Sequence, residues 1–130
     1  LLIKNAPSCF AVTDVSRQDI VECLGIRAVL EGYAARLATV RHTPEQLKPL
    51  IRKNEVFRKY LEEDNLDALP KVNTELHAII YTLSGSPKLI KMINDIREQV
   101  LRFRIMILRD RSLARASHKD HSDMLAMMQE

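Results

Sequence analysis

Apolar residues recur at helical spacing through most of this chain. The longest such stripe consists of Leu89, Ile93, Ile96, Val100, Phe103 and Ile107. Its members fall on one face of an α-helix, and their spacing does not fit the two-residue period of a half-buried strand. The chain has only three Gly and no Trp in 130 residues, a composition that also favours helices. The sequence therefore predicts an all-α fold.

Local start and stop signals divide the chain into helices. Ser16 with Asp19 forms a start similar to a capping box, and Thr43 followed by Pro44 and Gln46 forms a clearer one. The predicted helices span residues 16–40, 43–62, 67–83, 86–111 and 117–130. Residues 111–117 are interpreted as a polar joint, with Ser117 as the cap of the last helix. Short connections predict an antiparallel bundle of about six helices.

The first residues differ from the rest of the chain. Leu1 to Ile3 and Phe10 to Val12 are short apolar runs around Asn-Ala-Pro-Ser, which predicts two short strands or an extended arm around a turn. Such a piece is too short to fold alone. We therefore expect residues 1–13 to be the remnant of an upstream domain and residues 14–130 to form the helical domain. The uncapped last helix predicts that this domain is truncated.

Composition and charge exclude several classes of protein. With 46% hydrophobic and 28% charged residues, the chain is predicted to fold. Its net charge of +3 comes from scattered residues, so it gives no reason to assign nucleic-acid binding to this segment. No apolar run approaches the roughly 18 residues needed to cross a membrane, and no secretion signal opens the chain. We expect a cytoplasmic protein in which Cys9 and Cys23 are reduced.

Three histidine and asparagine side chains could hold a metal ion. Asn73 and His77 lie four residues apart on the edge of the apolar face of one helix, and His121 lies in the last helix. An imidazole and an oxygen ligand one turn apart can bind one metal ion, and imidazoles from other helices can complete its coordination. Such ligands suit zinc, nickel, manganese or iron with little discrimination.

Two arginines fall on or beside apolar stripes, which suggests an anion site. Arg27 lies between Leu24 and Leu30, and Arg104 lies between Val100 and Ile107. A buried guanidinium needs an anion to offset its loss of hydration. A carboxylate ligand bound by two parallel hydrogen bonds would provide that anion.

Each of these residues also has a purely structural interpretation. A histidine on a helix edge is more often hydrogen-bonded than metal-bound, Arg27 can pair with Glu31 one turn away, and Arg104 can extend its head to water. The residues alone leave three alternatives: a sensor with a metal or anion pocket, a metalloenzyme that uses His77 and His121, and a ligand-free dimerisation module. The enzyme is disfavoured, because the chain lacks the Glu-x-x-His repeats of helical di-metal sites and any Gly-rich phosphate loop.

Three segments, in order, resemble the FCD domain, the C-terminal effector-binding domain of the FadR-like subfamily of GntR bacterial transcription regulators. They are DVSRQDIVECLGIRAVLEGYAARLATVRHTPEQLKPL, VNTELHAIIYTLSGSPKL and SHKDHSDMLAMM. In the second segment an Asn precedes a His by four residues, and in the third a Ser does so. The resemblance implies an antiparallel helical bundle that binds a divalent metal, with a small carboxylate beside it. It also implies a homodimer whose N-terminal winged helix-turn-helix domains read operator DNA.

Carried over by position, the resemblance implies that Asn73, His77 and His121 are metal ligands and that Arg27 and Arg104 hold the carboxylate. Residues 1–13 would correspond to the last hairpin of the winged domain and its linker. Asn73 stands where many members have Asp, so this ligand brings no negative charge. The family's last histidine lies in a further helix that this chain does not reach.

Overall fold

The protein is described by a computed structural model that covers residues 16–130 with their side chains. Before them it describes the backbone of two antiparallel strands, β1 (Leu2–Ala6) and β2 (Cys9–Val12). These strands match the two short extended pieces expected at this end. The expected domain boundary after residue 13 and the state of the Cys9 thiol lie outside the described residues, and the origin of residues 1–13 in a winged domain stays a prediction.

The described part of the chain folds into five α-helices. They are α1 (Arg17–Arg41), α2 (Pro44–Glu62), α3 (Leu69–Ser84), α4 (Pro87–Arg109) and α5 (Arg111–Gln129), with a 3-10 turn at Leu66–Ala68 before α3. The all-α prediction is therefore confirmed, with one helix fewer than the expected six. None of these helices combines the length and the apolarity needed to cross a membrane.

The prediction of a polar joint at residues 111–117 is wrong. These residues form the first two turns of α5, because Asp110 caps the helix by accepting a hydrogen bond from the backbone of Leu113 at 3.0 Å. The segment contains no Gly or Pro that would interrupt it, and Ala114 is fully buried in the core. His121 consequently lies in the middle of α5, rather than near its start, where its side chain can reach the interior of the bundle.

Reciprocal capping boxes begin α1 and α2, as the sequence predicts. In each box the side chain of Ser16 or Thr43 accepts a hydrogen bond from the backbone three residues later, and that residue's side chain bonds back to the cap backbone. The end of α3 is set by Gly85, which has a φ of +62°. Glycine adopts this left-handed conformation without the steric cost that a Cβ atom brings.

Replacing Thr43 with alanine is expected to lower the free energy of unfolding by about 1 kcal/mol, because the cap hydroxyl is lost. Urea unfolding measures this change. Thr39→Ala is the matched control, since its hydroxyl donates to the carbonyl of Ala35 within α1 and caps nothing. An equal loss in both variants would contradict the assigned role of the Thr43 hydroxyl.

Helix α3 is the central helix and packs against α1, α2 and α4, while α2 and α4 also pack against α5. Two apolar clusters form the core. The larger is built around Leu50, Leu76 and Ile93, and the smaller around Phe57 and Leu69. Within residues 16–130, six polar residues are buried along with them: Arg27, Asn54, Asn73, Ser84, Arg104 and His121. A polar group in a protein interior normally has a partner, so the environment of these residues determines what this bundle can bind.

Candidate functional site

Two imidazoles from different helices meet inside the bundle. His77 on α3 and His121 on α5 have their Nε2 atoms 3.2 Å apart, and their ring centroids are 5.2 Å apart. His121 is only 6% exposed, and the side chain of His77 is 18% exposed. The ring of Phe57 packs edge-on against His121 at 5.4 Å. The structure thus brings two of the three candidate metal ligands into direct contact.

The spacing of these two nitrogens fits a shared metal ion. Imidazole nitrogens lie about 2.0–2.1 Å from a bound zinc ion, so two of them on one ion are about 2.8–3.4 Å apart at angles between square and tetrahedral. Asn73 stands one turn before His77 on α3, and its Oδ1 atom is buried without a hydrogen-bond partner. Two imidazole nitrogens and an amide oxygen are a chemically suitable donor set for a divalent metal.

The candidate metal ligands His77, His121 and Asn73 bring no negative charge. Among the described residues, no three His, Cys, Asp or Glu side chains converge to hold a metal ion. If a metal ion bound to the two imidazoles, its third ligand would be the neutral amide of Asn73 or a group of a bound molecule. A metal ion held by neutral ligands keeps its full positive charge, which favours an anionic ligand in its remaining coordination positions.

Both imidazoles are neutral near pH 7. Burial, followed by the positive charge of Arg104, lowers the pKa of His77 well below its usual value. Burial, followed by His118 and Arg104, lowers the pKa of His121 to about 4. A neutral imidazole has a free lone pair on one nitrogen, so these residues can act as metal ligands without first losing a proton.

Arg27 is buried and is paired within its own helix. Its Nε and Nη2 atoms donate to Oε1 of Glu31 at 2.8 and 2.7 Å, which is the ion pair considered as the plain alternative from the sequence. The hydroxyl of Tyr81 donates to the same oxygen. Burial and the neighbouring Glu31 raise the pKa of Tyr81, so its hydroxyl stays protonated and remains a donor. Oε1 of Glu31 also lies 3.7 Å from Nδ1 of His77.

Among the residues whose side chains are described, none forms a hydrogen bond or ion pair with Arg104 comparable to that of Arg27 with Glu31. Arg104 is 8% exposed, and its Nη1 atom is buried without a hydrogen bond. Burial, and then the positive charge of Arg27, lowers its pKa to about 10. The guanidinium therefore lies in the interior rather than extending to water. A buried cation with an unused donor is a candidate anion-binding group.

A cavity of about 280 Å³ opens beside the two histidines, between α1, α3 and α5. Its polar lining consists of Glu31, His77, Tyr81, Ser117, Asp120 and His121. The cavity is large enough for a small organic molecule. A ligand placed there would contact the open side of the histidine pair.

Two participants of this site, Glu31 and Tyr81, were not among the residues predicted from the sequence. The spacing of each residue indicates that it neighbours a predicted site residue: Glu31 lies one turn after Arg27, and Tyr81 lies one turn after His77 on the same helix face. Their contact joins residues 50 positions apart. Helical periodicity does not indicate which faces of two helices meet, so the contact itself could not be read from spacing.

One comparison with known proteins gave a match. The family model described as FCD domain matches residues 22–130, a range that includes all five candidate site residues. Neither the curated proteins nor the solved structures contained a match to this chain.

Proposed function

Because this chain belongs to the FCD domain family, we propose that it senses a small organic acid on behalf of a FadR-like, GntR-type transcription regulator. Membership implies an effector-binding role in a regulator of the GntR family. The finer parts of the proposal are the acid, the metal and the site residues. They are supported by the geometry of the buried polar cluster and by the positions at which the chain resembles the family.

The observation that carries the proposal is the buried Nη1 atom of Arg104, which lacks a hydrogen-bond partner and belongs to a cation near two neutral imidazoles. Arg27 and Arg104 bring two positive charges into the interior, and Glu31 offsets only one of them. A carboxylate bound at Arg104 would supply the missing negative charge and use the donor that lacks a partner. Arg27 contributes to the same positive potential, although its Nε and Nη2 atoms are engaged by Glu31.

The metal in this proposal is a divalent ion such as zinc, nickel or manganese. His77 and His121 would hold it through Nε2, and Asn73 would hold it through its amide oxygen. When bound, the ion supplies a positive centre that attracts a carboxylate oxygen. The nearby arginines repel the metal ion, and a bound carboxylate would offset part of their positive charge. We therefore expect the metal and the acid to bind cooperatively, each raising the affinity of the other.

Sensing would work through linked equilibria rather than turnover. The site residues come from α1, α3, α4 and α5, so a ligand that binds them favours one arrangement of these helices over another. In a cytoplasmic homodimer this change would alter the subunit interface. It would thereby move paired winged helix-turn-helix domains relative to the half-sites of operator DNA.

Replacing Arg104 with methionine tests the proposal. We expect carboxylate affinity to fall about a hundredfold, or roughly 2.7 kcal/mol, because the partner of the anion is lost. The free energy of unfolding without ligand should stay the same or rise, since an apolar side chain replaces an unpaired buried charge. Titration calorimetry and thermal unfolding with a panel of organic acids measure the two effects.

Arg102→Met is the matched control, because Arg102 is exposed and lies two residues away on the same helix. It should bind acids like the wild type. Unchanged affinity in the Arg104 variant would remove Arg104 from the anion site. If no organic acid stabilises the wild-type protein, with or without metal, the sensor proposal fails.

A further inference from the structure

Helix α1 is apolar on two opposite faces. On the inner face, Ala34 and Ala38 are buried in the core. On the outer face, Ile26, Val29 and Tyr33 are 47%, 72% and 51% exposed, and no other described element covers them. Their spacing of three and four residues places them in one stripe along the helix, which we call the outer stripe. An exposed apolar stripe on a helix is typical of a surface that binds another protein.

We propose that the outer stripe is the surface through which two copies of this chain associate. The two α1 helices pack antiparallel, and the twofold axis passes beside Val29. The inference rests on the proposed function only in that a sensor of this kind works as a homodimer. The register of the two helices follows from charge and side-chain size on α1 alone.

The charges on either side of Val29 favour a second copy as the partner. Glu22 lies seven residues before Val29 and Arg36 lies seven residues after it, and both are exposed. Residues seven apart deviate by only about 20° around a helix, so all three share one face. In an antiparallel pair centred on Val29, Glu22 of each copy lies level with Arg36 of the other, about 10.5 Å from the axis. Twofold symmetry forms this ion pair twice, whereas parallel helices would place like charges together.

Side-chain size fits the same arrangement. Ile26 lies three residues before Val29 and Tyr33 lies four after it, so each Ile26 comes beside Tyr33 of the other copy, one turn from the axis. Along the other edge of the stripe lie Gly25 and Gly32, where a Cβ atom would meet no packing neighbour within 4 Å in the described chain. Glycine inside a helix costs stability relative to alanine, so packing within the described chain does not explain these two. A backbone without side chains lets a second helix approach closely.

Replacing Val29 with lysine tests whether the outer stripe is the interface. Val29→Lys places two like charges at the twofold axis and should raise the dissociation constant of the dimer by about tenfold or more. Val21→Lys is the matched control, because Val21 is 63% exposed on the same helix but lies outside the stripe. The control should associate like the wild type. Sedimentation equilibrium of the full 130-residue chain over a dilution series measures each dissociation constant.

Charge reversal tests the antiparallel register. Glu22→Arg and Arg36→Glu each replace two attractive contacts with two repulsive ones, so each variant should associate about tenfold more weakly than the wild type. A chain that carries both substitutions pairs opposite charges again and should recover the wild-type dissociation constant. Glu45→Arg is the control for the change in net charge, because Glu45 is exposed at the start of α2. It should leave association unchanged.

Three results would overturn the interface: a wild type that is monomeric at every concentration, equal weakening by the two lysine variants, or a double variant no tighter than the single ones. Titration with organic acids, measured on the same proteins, separates this inference from the sensor function. A monomer that binds an acid refutes the interface alone. A dimer with the expected variant pattern that binds no acid supports the interface and refutes the sensor.

Discussion

Replacing His77 with alanine is expected to abolish the stabilisation of this domain by divalent metal ions. At a metal concentration a thousandfold above Kd, that stabilisation amounts to roughly 4 kcal/mol of unfolding free energy. The loss is expected to be complete because the candidate site has only two imidazoles, 3.2 Å apart at Nε2. One imidazole and one amide do not hold a divalent ion tightly. Thermal unfolding with and without zinc, nickel and manganese measures the effect.

His42→Ala is the control for this experiment. His42 is half-buried at the end of α1, where its Nδ1 contacts the carbonyl of Ala38 at 2.9 Å. It should keep the full response to metal, whereas His121→Ala should lose the response as His77→Ala does. Metal content of the purified proteins gives an independent measurement. A His77 variant that retains its metal would exclude His77 from the site.

Acid should destabilise the metal-free domain strongly. The pKa of His121 is about 4 in the folded protein, compared with an ordinary value of 6.5. Between these pH values the unfolded chain binds a proton that the folded protein does not, so stability falls as the pH decreases. The contribution of His121 to stability is fully present above pH 6.5, and its loss amounts to about 3 kcal/mol by pH 4. His77 acts in the same direction, because burial and Arg104 lower its pKa.

Urea unfolding across this pH range tests the prediction. In addition to burial, the groups that lower these two pKa values are the arginines at positions 27, 97 and 104 and the neighbouring histidines. His121→Leu should show a shallower loss of stability with acid than the wild type. Equal slopes in the wild type and the His121 variant would contradict a buried, neutral His121.

The sequence determines most of the secondary structure, because its signals are local. The capping boxes at Ser16 and Thr43 are decided within four residues, and the structure has them as predicted. The start of α5 was misplaced because Ser117 with Asp120 resembles a cap as closely as Asp110 does. The burial of Ala114 against the smaller core cluster favours the start at Asp110, and burial depends on tertiary packing, which a local sequence pattern does not show.

Part of the candidate site could also be predicted, because helical spacing shows which residues share a face with the core. Arg104 follows Val100 at helical spacing, and both are buried. The stripe predicted from the sequence continued to Ile107, but the buried residue in the structure is Leu108, while Ile107 is 38% exposed. The contact of Tyr81 with Glu31 could not be predicted, because it depends on how α1 and α3 are rotated against each other.

Helix α3 carries two neighbouring side chains that contact two different helices. From adjacent turns on the same face of α3, Tyr81 bonds to Glu31 of α1 and His77 contacts His121 of α5. Both contacts come from adjacent turns of one helix, so a small rotation of α3 about its own axis would disturb both contacts together. Through these two contacts the helix links α1 to α5. Under the proposed function, a ligand that displaces the His77 ring would therefore act on the contacts of α3 with α1 and with α5 at the same time.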